Sequence, residues 1–138
     1  MARYVATDNK ITINGTDFSS SIAAVTLALT AEEVETTSFS TQWRSRISGL
    51  KDATVTLDFH QDFGAAAVDA TLYPLLGSQA TVTVQPTSGS TAATNPVFSG
   101  VFLVTEYTPF ENSVGDLATL SVTWPLASGS GITRGTGA

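Results

Sequence analysis

Alternation with a period of two runs through most of this chain, and it restricts the fold more than any other feature. Such alternation puts one set of side chains on a core face of a strand and the other set outside. Ile11 and Ile13 alternate in a short first strand, followed by the turn-like Asn14-Gly15-Thr16-Asp17. Val25, Leu27 and Leu29 alternate with Ala24, Thr26 and Ala28. Val55, Leu57 and Phe59 alternate with Thr54, Thr56, Asp58 and His60. Val82 and Val84 alternate with Thr81, Thr83 and Gln85 up to Pro86, and Leu120, Val122 and Trp124 with Thr119, Ser121 and Thr123 up to Pro125. The prolines suit strand ends, because proline has no N–H to give to a ladder.

Val97 to Tyr107 is different. Phe98, Phe102 and Val104 fall on one face and Val97, Val101 and Leu103 on the other. A strand apolar on both faces is covered on both, so this stretch is expected to meet a neighbouring subunit, with Phe98, Phe102 and Val104 as the contact. Ala65 to Leu76 places Val68, Leu72, Leu75 and Leu76 at helical spacing, and Gly77 follows as a stop signal. Pro74 keeps that helix short. The expected fold is mainly β: a sandwich or open barrel of antiparallel strands with one short flanking α-helix at about 65–76, in a single domain over residues 1–138. Residues 1–10 read as an N-terminal arm, 36–51 as a long loop, and the Gly-rich 127–138 as a flexible C-terminal tail. Thr87 to Asn95 is a second aperiodic loop, of Ser, Thr, Gly and Ala character.

Composition narrows the functional classes. The 138 residues are enough for one core without staples. Only 13% are charged, against about 25% in a typical soluble domain; low charge suits surface that becomes buried between subunits. A net charge of −6 gives no counterion-release advantage on a phosphate backbone, so specific nucleic-acid binding is not expected. The absence of cysteine removes disulfides, thiolate metal sites and a Cys nucleophile. Met1 to Lys10 lacks the apolar centre of a signal peptide or anchor, and no run approaches the ~20 apolar residues of a membrane helix. No membrane association is therefore expected.

No convergent catalytic site is evident. His60 is the sole histidine; with Asp58 and Asp62 it shares a strand face by spacing, but the polar face of an amphipathic strand explains the trio without chemistry. No phosphate-binding or hydrolase motif is present, so the expectation is no catalytic residues, no cofactor and no metal. Glu32, Glu33 and Glu35 form the densest acidic cluster, read either as a solvated turn or as a patch that keeps a polyanion from adhering. Trp43, between Gln42 and Arg44 in the long loop, either folds back on its own core or anchors in a neighbour, where Trp and Arg are enriched.

Taken in order, several segments resemble the major tail tube proteins of siphophages, the phages with long non-contractile tails, particularly those infecting actinobacteria. They are Val25-Thr26-Leu27, then Ala31-Glu32-Glu33-Val34-Glu35-Thr36-Thr37-Ser38-Phe39, Trp43-Arg44-Ser45-Arg46-Ile47-Ser48-Gly49-Leu50-Lys51-Asp52, Leu57-Asp58-Phe59-His60-Gln61-Asp62-Phe63, Val68 to Gly77, Pro86-Thr87 and Gly115 to Pro125. His60 stands where the pattern leads one to expect Asn. The resemblance implies a β-sandwich whose inner sheets join, six subunits to a ring, into a barrel around a lumen. The rings stack into a tube through which DNA passes without specific binding. It also implies a place in the virion tail, assembly in the host cytoplasm, and tape measure, terminator and distal tail proteins as partners. Under it, Phe39, Trp43, Arg44 and Arg46 are candidate inter-ring contacts, and Glu32, Glu35 and Asp58 a candidate acidic lumen patch. The alternatives are another ring-forming tail component, such as a terminator or hub, or a carbohydrate-binding sandwich using Trp43, Tyr73 and Tyr107.

Overall fold

A computed structural model describes residues 5–65 and 67–136. The strands are β1 (Lys10–Ile13), β2 (Thr16–Asp17), β3 (Ile22–Glu35), β4 (Arg46–His60), β5 (Gln79–Gln85), β6 (Val97–Leu103), β7 (Thr119–Pro125) and β8 (Thr133–Gly135), with a helix α1 (Val68–Leu75) between β4 and β5. They form two antiparallel sheets. Sheet A has the order β2-β1-β5-β6-β8 and sheet B the order β3-β4-β7. This is the mainly β sandwich with one helix that the periodicity predicts. Of the expected arm over 1–10, residues 1–4 lie outside the described residues, as do Ala66 of the expected helix and residues 137–138 of the tail. Among the described residues no helix is long and apolar enough to cross a membrane.

The core is assembled from the alternating positions. Ile11, Ile13, Ala80, Val82 and Phe102 from sheet A meet Val55, Leu57, Phe59, Leu120, Val122 and Trp124 from sheet B, all of them buried. Helix α1 adds Val68 and Leu72. At about 25 cal/mol per Å² of apolar surface removed from water, each such side chain of Val size or larger stabilises the sandwich by about 1.5–3 kcal/mol. Within this core Trp124 Nε1 donates to the main-chain oxygen of Glu106 at 3.1 Å.

Four expectations are corrected. The strand expected to end at Leu29 continues to Glu35, and its partner begins at Arg46 rather than at Thr54. The long loop expected over 36–51 is therefore loop only between Thr36 and Ser45, and Glu32, Glu33 and Glu35 lie within β3, not in a turn. The alternation rule could not see these strand halves because no core lies behind them. Thr133–Gly135 of the tail expected to be flexible pairs with Val97–Ser99 as β8. Finally, Phe102 and Val104, 1% and 0% exposed, belong to the chain's own core and are not free for a neighbour. Phe98 is partly buried beneath Arg134. The outward row of β6 is Val97, Val101 and Leu103, each half-buried.

Thr87 to Asn95 also has more order than its composition suggests. The buried Asn95 side chain donates to the main-chain oxygens of Thr87, Gly89 and Ser90 at 3.4, 3.2 and 3.1 Å and accepts from Thr87 N at 3.0 Å. One side chain thus satisfies the backbone of a segment that has no apolar residue larger than Ala to pack.

Candidate functional site

The ladder between β3 and β4 is by far the longest in the molecule, at 14 and 15 residues. Near His60 it is half of the sandwich. Beyond Leu29 and Ala53 it projects as a two-stranded arm, six residues or about 20 Å long from Thr30 to Glu35. A register shift between Ala31 and Glu33 bends it. Gly49 sits at that bend; a Cβ there would meet Glu32 Cβ and Val34 Cγ2 at 3.2 Å. The arm is held by cross-strand pairs instead of a core. Arg46 Nε contacts Glu33 Oε1 at 2.7 Å, and Thr36 N donates to Ser45 O at 2.8 Å. Arg44 lies 4.0 Å from Glu35 with both side chains largely exposed, a geometry worth little.

The arm carries apolar side chains into solvent. Phe39 is 99% and Trp43 85% exposed at its tip, with Ile47 and Leu50 exposed behind them. Trp43 does not fold back onto the core. Phe39, Trp43, Arg44 and Arg46 thus share one projecting hairpin. A second exposed apolar pair lies past the far end of β4, where Phe63 stacks on Phe110 with centroids 5.5 Å apart; Val114 and Leu117, in the stretch before β7, are exposed as well. Nothing in the periodicity marks these residues, because they sit on loops.

The outward face of sheet B is small and polar. Thr26, Thr56 and Thr123 lie in one row across the three strands, and Ala24, Asp58 and Ser121 in the next. The Thr56 and Thr123 hydroxyls are 3.2 Å apart. Asp58 and His60 belong to this face, whereas Asp62 lies past the strand and accepts from Gly64 N at 2.9 Å. The three do not converge, and among the described residues no cluster fit for a metal ion occurs. No Lys or Arg lies between Lys10 and Arg44 or between Lys51 and Arg134, so the part of this face that covers the core carries neither. Glu32 and Glu35 are on the arm, eight or more residues along β3 from Ala24, the partner of Asp58, or about 27 Å. The candidate acidic trio is thus spread along the ladder.

The edges of the two sheets differ as well. Sheet A ends on strands of two and three residues. Sheet B ends on the whole length of β3 and on β7. Ser121 N and Thr123 N point away from β4, since they donate to side chains on the other side. The alternation of an antiparallel ladder then turns the N–H and C=O of Val25, Leu27 and Leu29 toward the free side of β3. That Ala53, opposite Leu29, accepts from Leu126 N on the β7 side agrees with this parity.

Tyr107 closes the far end. Its hydroxyl donates to Asp69 Oδ1 at 2.6 Å and accepts from Gln61 Nε2 at 3.2 Å. Burial, then the Asp69 carboxylate beside it, pushes its phenol above the usual range. Tyr107 therefore ties helix α1 to the end of β4 and is no sugar platform. Trp43 stands at the arm tip, apart from Tyr73 on α1 and from Tyr107, which is bonded to that helix.

No protein-family model and no curated protein matches the chain. Solved structures do share its fold. One is a chain from the virion of a native gene transfer agent particle, 17% identical, covering 96% of this chain and 98% of that one with a TM-score of 0.75. Another comes from the tail of an empty gene transfer agent particle, determined with C6 symmetry. It is 19% identical, covers 82% of this chain and 81% of that one, and has a TM-score of 0.63. The two-sheet architecture is thus shared over nearly the full length with a chain of a gene transfer agent virion and over most of it with a chain of a gene transfer agent tail.

Proposed function

We propose that this chain is the repeating structural subunit of a phage-like tail tube. Copies stand side by side in rings, six to a ring, with sheet B continuous from copy to copy and its small face, free of Lys and Arg over the core, turned to a central channel. Rings stack through the projecting arm, with Phe39 and Trp43 buried against the next ring and Arg44 and Arg46 beside them. DNA passes along the channel without binding, because a wall of Thr, Ser, Ala and Asp58, with the half-buried His60 at its end, offers phosphates no Lys or Arg and little surface to stack on. Tape measure, terminator and distal tail proteins would be the other components met at the two ends of such a tube.

The observation that carries this reading is the 14-residue edge of β3, unpaired among the described residues. A long open edge is an aggregation hazard that folded proteins normally blunt, and closure of a sheet into a ring removes it. The likeness to chains of gene transfer agent particles, one of them a tail with C6 symmetry, supports the same reading at the level of fold. Negative-stain electron microscopy of the purified protein at rising concentration tests it. Hollow rings or tubes are expected for the wild type, and folded subunits that polymerise poorly for Trp43→Ala. A single-subunit particle at every concentration would overturn the assignment.

A further inference from the structure

The free edge of β7 is not bare. Glu106 Oε1 accepts from Thr123 N at 2.7 Å, and Glu111 Oε2 accepts from Ser121 N at 3.3 Å. Both carboxylates come from the irregular stretch between β6 and β7, and they occupy two successive edge N–H groups of one strand. Charge-assisted bonds of this kind are stronger than neutral ones. The other edge of the same sheet has no such cover; among the described residues, no side chain hydrogen-bonds a main-chain group of β3. A sheet with one edge capped by its own acids and the other left open is asymmetric in a way that core packing does not require.

From this asymmetry we infer that Glu106 and Glu111 are removable guards of an interaction surface whose occupant is the β3 edge of a second copy of this chain. The fit is one of length and charge. Residues Ile22–Ala31 of β3 contain no ionisable side chain, so this stretch lies against the seven residues of β7 without like-charge repulsion. In the free subunit the carboxylates hold the two N–H groups. On association, main-chain carbonyls of the incoming β3, of the Val25 and Leu27 kind, replace them and the carboxylates move out to water. Every lateral contact of this sort joins one β3 to one β7, so guarding β7 alone restrains growth in both directions. Main-chain acceptors extend along the strand where the carboxylates reach only two groups. The guard therefore delays joining without preventing it, and solitary subunits stay apart until their concentration, or a nucleus, favours the exchange.

This inference rests on the ring reading but fails separately from it. The experiment compares the wild type with Glu106→Ala/Glu111→Ala in light scattering against concentration, with amide exchange of the dilute monomers followed by NMR. The main-chain oxygen of Glu106, which holds Trp124, is untouched by the substitution. The double variant should associate at a concentration about tenfold lower, an effect of the size expected for two charge-assisted bonds that compete with the seam. Its Ser121 and Thr123 amides should exchange faster, with Leu120 and Val122 unchanged. Glu106→Gln/Glu111→Gln, which keeps shape and a weaker acceptor, should fall between the two and serves if the alanine variant folds poorly. An unchanged or raised threshold, with wild-type tubes still forming, overturns the guard and leaves the ring. Edge-joined oligomers in the variant with no tubes from the wild type uphold the guard and overturn the ring. No association in either protein overturns both.

Discussion

The two sheets share one core but treat their edges in opposite ways. Sheet A is closed off by strands of two and three residues, and β2 turns back on β1 through Asn14 and Gly15, both at positive φ. Sheet B instead runs on past the core as an arm and ends on a long strand whose outer edge is unpaired among the described residues. A sheet that needs no further partner blunts its edges. The contrast teaches that the capacity to join copies lies in the borders of one sheet and not in how either sheet is filled.

The strongest way to sharpen that contrast is to show that the interiors are equivalent. Trp124 in sheet B and Phe102 in sheet A are both essentially inaccessible. Trp124→Ala and Phe102→Ala should each cost about 3–5 kcal/mol, measured by urea unfolding, with assembly lost in both only because the fold is. A much smaller loss at one of them would mean the sheets do not share the core equally. The next effect separates the edges themselves. Leu29→Pro removes an outward N–H of β3 without breaking a ladder bond, and Leu29 is 56% exposed. The subunit should stay folded, at a cost of about 1 kcal/mol, while rings and tubes disappear from electron micrographs. Arg134→Pro, on the outer strand of sheet A, should leave them intact. If both variants assemble, or neither does, the contrast between the sheets is broken.

The smallest effect concerns how sheet A is blunted. Asp17 in β2 accepts from Ser19 Oγ and Ser19 N, and these bonds, with a lesser contribution from Lys10, hold its carboxyl below the ordinary value of 3.8. A carboxyl depressed in the folded state adds stability above its unfolded pKa and loses it as pH falls through the folded value. The wild type should therefore lose a small increment of stability as pH drops below about 4, an increment missing in Asp17→Asn. Solvent screening at this exposed turn keeps it to a few tenths of a kcal/mol. Equal acid sensitivity in wild type and variant would remove Asp17 from the account.

How much could be read beforehand depended on what stood behind each segment. Val55, Leu57 and Phe59 alternate because a core faces them, and Leu120, Val122 and Trp124 repeat the pattern from the next strand, so both strands were legible. Val68 and Leu72 marked the helix for the same reason. The arm residues Ile47 to Asp52 face solvent on both sides, so their strand character left no alternation to read. Phe98, Phe102 and Val104 were legible as apolar, but their spacing could not say that Phe102 and Val104 face the chain's own core while Val97, Val101 and Leu103 look outward. Asn95 looked like one more polar loop residue, because its role consists of bonds to a backbone that only the folded loop brings near.

Period-two patterning by itself determined that this chain makes a two-layer β structure with one helix, since local periodicity reports which side of each element meets apolar neighbours. Register, edge and reach were decided only by the tertiary structure. Whether a strand end is paired, capped by Glu106 and Glu111 or left open depends on contacts between residues far apart in the chain. Hydrogen bonds between main-chain groups, which every residue but proline can make, leave no mark of their own in the order of side chains.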